Sequence, residues 1–306
     1  MAKVWVLGGE GFIGRAVCRR LSEDGHEVIS CSASATRVEK VPSHVRHPRT
    51  RVLLIPGYRD LRPDKGDVCV HLAESNLASA PMEGADSSLL GDGKYPDPDD
   101  LVRLIESAGF AQVVYASSAA VYGDVSTEAR HESETVDPGS PYARRKHANE
   151  LRFLESGCSA VLRLANTYGP GMSKGNVLSE IIEQAGRGDC VAVNDLAPIR
   201  DFVHVEDVAR AFSAAISSRA NGVFNVSTGS GTSVADLAAI ILKIMGRKDL
   251  PVTTRSPLIP GRTGTVSARA SVLVLSNKRA AEILDWKPRV SLEEGIARMV
   301  GGGERS

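Results

Sequence analysis

The apolar positions of this chain fall first into a short unbroken run and then into a helical stripe. Val4, Trp5, Val6 and Leu7 are too few for a helix and predict a buried strand. Gly8, Gly11 and Gly14 follow, and Arg15 to Leu21 then carries helical spacing, so the stretch predicts strand, tight turn and helix. The alternation continues. Glu27 to Cys31, Val52 to Ile55 and Asp67 to Ala73 predict three more strands, Gln112 to Ala116 a fifth and Ala160 to Leu164 a sixth. Leu101 to Ser107 and Tyr142 to Glu155 predict helices. Thr36 to Arg51 gives no clear helix, and Ser75 to Asp100, rich in breakers and acids, predicts a long loop.

Strands alternating with helices imply a parallel sheet covered on both faces, with the loops after the strands on one edge, where ligands bind. After Asn166 the pattern loosens. Val177 to Arg187, Glu206 to Ser217, Val234 to Met245, Arg279 to Leu284 and Leu292 to Val300 predict helices, with short strands at Cys190 to Val193 and Val223 to Val226. The expected fold is α/β: a Rossmann-type doubly wound parallel sheet with a smaller C-terminal α/β cap. The expected division is 1–165 for dinucleotide binding and 166–306 mainly for the substrate-binding cap, with segments around 200–228 returning to the first unit.

Charge and composition narrow the partners. The chain has 306 residues, and Lys plus Arg equals Asp plus Glu at 37 each, so nothing points to nucleic acid or to a membrane surface. The five cysteines, Cys18, Cys31, Cys69, Cys158 and Cys190, are scattered without metal spacing and read as reduced thiols. Apolar runs stay short of a membrane span, and the chain enters a strand at once, leaving no room for a signal peptide. The expectation is a cytoplasmic protein.

The chemistry starts at the glycines. Gly permits turn conformations closed to other residues and lets the backbone approach a ligand closely. The N–H groups and dipole at the following helix start favour a pyrophosphate. A second constellation lies further on. The strand in VVYASSAAVYG ends at Ser117 and Ser118, and Tyr142 and Lys146 in SPYARRK stand four apart, on one helix face. An ammonium beside a phenol favours the phenolate, so such a tyrosine can exchange a proton with a sugar hydroxyl or carbonyl while Ser118 bonds the same oxygen.

GGEGFIG, DVCVHLA, ASSAAVYG, SPYARRK, LRLANTYGPG, RDFVHVEDVA, GVFNVSTG and LDWKPRVSLEEGI fall in one order along the chain. In that order the chain resembles an extended short-chain dehydrogenase/reductase of the nucleotide-sugar epimerase/dehydratase family. The resemblance implies NAD or NADP as cofactor, a nucleotide-activated sugar as substrate, and a homodimer. It implies that Gly8, Gly11, Phe12, Ile13 and Gly14 hold the pyrophosphate, that Asp60 and Leu61 reach the adenine, and that Leu72 and Ala73 line the cofactor. It implies Tyr142 as acid/base, Ser118 as its partner and Lys146 on the nicotinamide ribose. Asn166 would touch the sugar nucleotide and Arg200 its diphosphate, a task suited to a guanidinium fork; His204 reads as structural.

The departures from the family pattern carry information. Members preferring NAD usually end the second strand with an acid for the ribose 2′-OH; here that place holds Ser32, with Arg37 nearby, which favours a 2′-phosphate and hence NADP. The family's Asn before the next helix aligns near Gly93, in a rebuilt loop, and the late Arg-x-Gly-Asp segment reads IPGRTG, with Arg262 as a substitute. Ala119 and Ala120 stand where dehydrating and decarboxylating members place an acid, which sets those reactions aside. Reduction of a 4-keto sugar nucleotide and 4-epimerisation with retained NAD share every catalytic residue; Ser32 and Arg37 tilt the reading to reduction. The other readings are a small-molecule carbonyl reductase and a non-catalytic dinucleotide-binding regulator.

Overall fold

The computed structural model describes residues 1–32, 39, 47–55, 60–73, 102, 103, 105, 107–123, 128–255 and 271–301. Its centre is a seven-stranded sheet. In chain order the strands are β1 (Lys3–Leu7), β2 (Glu27–Ser32), β3 (Thr50–Leu54), β4 (Val68–His71), β5 (Gln112–Ser118), β6 (Ser159–Leu164) and, later, β11 (Gly222–Val226). They lie side by side as β3-β2-β1-β4-β5-β6-β11, and every pairing is parallel. The order reverses between β1 and β4, so a crevice opens beyond their ends.

Alternation along β1 sends side chains to opposite faces. Val4 and Val6 pack under helices α1 (Phe12–Glu23) and α4 (Val205–Ser217), with Val17, Leu21, Val208 and Phe212 in the same cluster. Trp5 and Leu7 face the other side, against Phe153 of α2 (Pro141–Glu155) and against Val102 and Ile105, whose backbone is helical. The Trp5 indole N–H donates to the buried Asp67 carboxylate at 2.8 Å, which satisfies the one polar atom a buried Trp carries.

Helix α1 begins at Phe12, three residues before the expected Arg15, because Gly11 serves as its N-cap. A third apolar cluster joins α3 (Val177–Arg187), α5 (Val234–Ile244) and α7 (Leu292–Gly301) through Leu178, Ile181, Leu237, Ile241 and Ile296. Around it run strands too short to announce themselves: β7 (Asn166–Tyr168) beside β10 (Phe202–His204), β8 (Val191–Val193) beside β13 (Val252–Thr254), and β9 (Ile199–Arg200) between β12 (Thr232–Ser233) and β14 (Val272–Leu273). Helix α6 (Lys278–Ile283) precedes Trp286, whose indole donates to the Asp207 carbonyl at 2.9 Å and locks this segment to α4. None of the described helices is long and apolar enough to cross a membrane.

Candidate active site

The glycine turn lies at the C-terminal ends of β1 and β4. Gly8 has φ +86°, and a Cβ there would stand 3.1 Å from the Ala73 backbone. A Cβ on Gly14 would overlap the Gly8 carbonyl and lie 2.7 Å from the Gly9 Cα, so the first helical turn packs directly on the turn that feeds it. Gly11 brings no side-chain cap to the N–H groups of α1, and no acid stands in the first turn. An anion therefore meets amides that no side chain caps. Leu72 is held beside the turn by its N–H bond to the Leu7 carbonyl at 2.9 Å. These features fit a dinucleotide pyrophosphate, with Phe12 and Ile13 opening the helix and Leu72 and Ala73 walling the crevice.

Ser32 closes β2 and is buried; Leu61 is buried in the second core cluster, and Asp60 is exposed. Arg37, Arg262 and the loop around Gly93 lie outside the described residues, so the expectations attached to them stand as expectations.

Ser118 ends β5, pairs in register with Leu164 of β6, and its hydroxyl accepts from the Ala120 N–H at 3.2 Å. Tyr142 opens α2, which is capped by Ser140 and carries Pro141 in its first turn. Lys146, one turn on, is buried, and its ammonium donates to the Ala116 carbonyl at 2.6 Å. It also lies 5.8 Å from the Tyr142 ring centroid and 4.9 Å from that of Tyr115. The lysine thus ties the start of α2 to the strand that ends in Ser118.

Beneath this site runs a buried network that the sequence did not suggest. Glu150 receives the Arg163 guanidinium at 3.0 and 2.8 Å and the Ser117 hydroxyl, while Arg163 stacks 4.7 Å from the Tyr122 ring centroid. Tyr122 donates to Asn225 at 2.9 Å. The spacing of Glu150 to Lys146, four apart on the inner helix face, was the available signal.

Asn166 is exposed at the head of β7, and its N–H bonds the Asp201 carbonyl at 3.0 Å, so the Arg200–Asp201 segment lies beside the end of β6. Arg200 donates to the Ser271 carbonyl and hydroxyl, each at 2.8 Å. Asp201 is buried and accepts from the Thr228 and Gly229 N–H groups at 2.9 Å. Burial raises its pKa against those lowering bonds. His204 is fully buried, accepts from the Glu206 N–H at 3.3 Å, and burial lowers its pKa.

Comparison with known proteins gives one family and more than one reaction. A model of the NAD dependent epimerase/dehydratase family matches residues 4–227. A UDP-glucose 4-epimerase of Mycolicibacterium smegmatis is 31% identical over 322 residues, covering 96% of both chains. A dTDP-4-dehydro-6-deoxy-D-allose reductase of Streptomyces bikiniensis is 26% identical, covering 95% of this chain and 94% of that one. Among solved structures, a UDP-glucose 4-epimerase of Thermotoga maritima with UDP-glucose superposes with a TM-score of 0.78 at 28% identity, covering 99% of each chain.

Proposed function

Because the chain belongs to the NAD dependent epimerase/dehydratase family, we propose that it moves a hydride at C4 of a nucleotide-activated sugar, as a 4-epimerase. The observation that carries this is the Lys146 ammonium on the Ala116 carbonyl, which ties the helix of Tyr142 to the strand that ends in Ser118, two strands along the sheet from the one that feeds the glycine turn. End-to-end similarity to a UDP-glucose 4-epimerase supports the choice of reaction.

A dinucleotide held at the Gly8–Gly14 turn would supply the hydride acceptor and, once reduced, the hydride donor. The protein does the rest. Tyr142 takes the proton from the C4 hydroxyl and returns it to the same oxygen after the sugar has turned the other face of its C4 carbonyl to the crevice. Lys146, one turn along the helix with its ammonium 5.8 Å from the Tyr142 ring centroid, holds that end of α2 on β5. Ser118 holds the same sugar oxygen. Arg200 grips the diphosphate with two parallel hydrogen bonds, exchanging its contacts with Ser271 for the ligand's oxygens. Asn166, exposed beside it, meets the sugar nucleotide.

Reduction of a 4-keto sugar uses the same residues, and the absence of an acid at Ser32 together with the Streptomyces relative favours it as the second reading. Ala119 and Ala120 argue against dehydration, since no carboxyl follows Ser118 to eliminate water. Incubation with UDP-glucose, followed by NMR of the products, tests all of this: UDP-galactose in equilibrium with remaining UDP-glucose is expected, and a 4-keto-6-deoxy product, or no turnover without a 4-keto substrate and reduced dinucleotide, would overturn the reading.

A further inference from the structure

The hydroxyl of Ser118 is held by a turn, and that turn is held by a buried tyrosine. We propose that Tyr122, with Asn225 behind it, is a positioning residue: it pins the far end of the turn that Ser118 caps, and so sets where the Ser118 hydroxyl meets the sugar oxygen. The inference rests on the reading that Ser118 touches that oxygen.

The contacts run without a break. Ala119–Tyr122 forms a single 3₁₀ turn directly after β5, with Ser118 as its N-cap in extended backbone. The Ser118 hydroxyl accepts from the Ala120 N–H at 3.2 Å. Accepting that bond orients one lone pair and leaves the hydroxyl proton to donate. A 3₁₀ turn of four residues has poor internal hydrogen bonds, so its geometry depends on what fixes its ends. At the far end Gly123 leaves the turn at φ +72°, and a Cβ there would lie 2.9 Å from the Asp137 carbonyl oxygen. Beside it the Tyr122 ring is fully buried, and its phenol donates to the Asn225 side-chain oxygen at 2.9 Å.

Asn225 meets the phenol with its oxygen because its nitrogen is taken. That amide nitrogen donates to the Arg130 and Ser276 carbonyls, each at 3.1 Å, which fixes the orientation of the side chain. The Asn225 backbone N–H donates to the Glu132 carboxylate at 2.8 Å. The residue lies on β11, in register with Arg163 of β6, so the anchor is the central sheet. The guanidinium groups of Arg163 and Arg130 lie 4.7 and 5.3 Å from the Tyr122 ring centroid, within cation–π range. Burial raises the Tyr122 pKa, so the phenol keeps the proton that it donates. Phenol, ring and the Gly123 backbone are thus all fixed at one end of a turn whose other end is the Ser118 hydroxyl.

Tyr122→Phe removes one oxygen and keeps the ring. The kcat for interconverting UDP-glucose and UDP-galactose should fall about 10- to 100-fold, the scale of a small misplacement near the chemistry, with KM and dinucleotide titrations matching the wild type. The decisive arm repeats the substitution in Ser118→Ala. There the turn has lost its link to the sugar, so Tyr122→Phe should change kcat less than about 2-fold, although it lowers thermal stability in both backgrounds. Gly123→Ala strains the same end of the turn from the backbone, and should repeat the pattern if Tyr122→Phe does not fold. Hydrogen exchange gives a readout independent of the reaction: the Ala120 amide should exchange faster in Tyr122→Phe while amides within β5 keep their wild-type protection. Unchanged kcat, or an equal loss in both backgrounds, overturns the assignment of Tyr122 while leaving the epimerase reading intact. A wild type that turns over no sugar nucleotide overturns that reading instead; the Ala120 exchange then decides alone, and unchanged exchange overturns the assignment.

Discussion

Replacing Glu150 probes how the site is built. Its carboxylate is 1% exposed and faces the Arg163 guanidinium, 5% exposed, through a contact of 2.8 Å. Water cannot screen either partner, so the usual discount for surface ion pairs does not apply. Glu150→Leu strands a buried guanidinium and removes the acceptor of the Ser117 hydroxyl. Breaking such a pair from one side costs about 3–5 kcal/mol, and Arg163→Met alone should cost a similar amount by stranding the carboxylate. The double variant Glu150→Leu, Arg163→Met leaves no buried charge and should cost far less than the sum, because a hydrophobic replacement of the whole pair is often close to neutral. Urea unfolding followed by circular dichroism reads all three. The single variants should also lose turnover, since Ser117 adjoins Ser118 at the strand end. Single costs below about 1 kcal/mol, or additive losses, would refute the view that this pair is a desolvated unit under the site.

Tyr142→Phe removes one oxygen and leaves the fold, so turnover should fall at least about 100-fold while dinucleotide titrations match the wild type. Arg200→Lys loses the fork geometry, and the Michaelis constant for the sugar nucleotide should rise about 10-fold or more with dinucleotide binding spared. His204 is held neutral by burial, its folded pKa lying below the ordinary histidine value. Its contribution to stability is therefore present above about pH 6.5 and lost as pH falls below that toward the folded pKa. The slope can reach about 1.4 kcal/mol per pH unit for one proton. His204→Asn should flatten the unfolding free energy against pH between pH 6.5 and 5, read by chemical denaturation at each pH.

Much of this molecule was legible because its signals are local. Each strand of the main sheet is an apolar run bounded by turn residues, and the glycine turn, Ser118, Tyr142 and Lys146 sit at fixed places relative to those runs. The missing parts depend on distant partners. Strands β9, β12 and β14 span two residues each and cannot display a period; they form because Arg200 pairs with Thr232 on one side and Leu273 on the other. Asp201 reads as an ordinary acid until the loop at Thr228 folds over it. Glu10 looks like any filler residue between glycines, and its burial arises only when the pairing of β1 with β2 brings the Ser30 hydroxyl against it.

The most direct test follows the hydrogen at C4. UDP-glucose carrying deuterium at C4 is supplied to the purified protein with its bound dinucleotide, and the product is examined by NMR. Retention of deuterium at C4 of UDP-galactose, with no net change in the oxidised and reduced dinucleotide, is the predicted result. Loss of the label to solvent, or turnover only when a 4-keto sugar nucleotide is supplied together with stoichiometric NADPH, would contradict it.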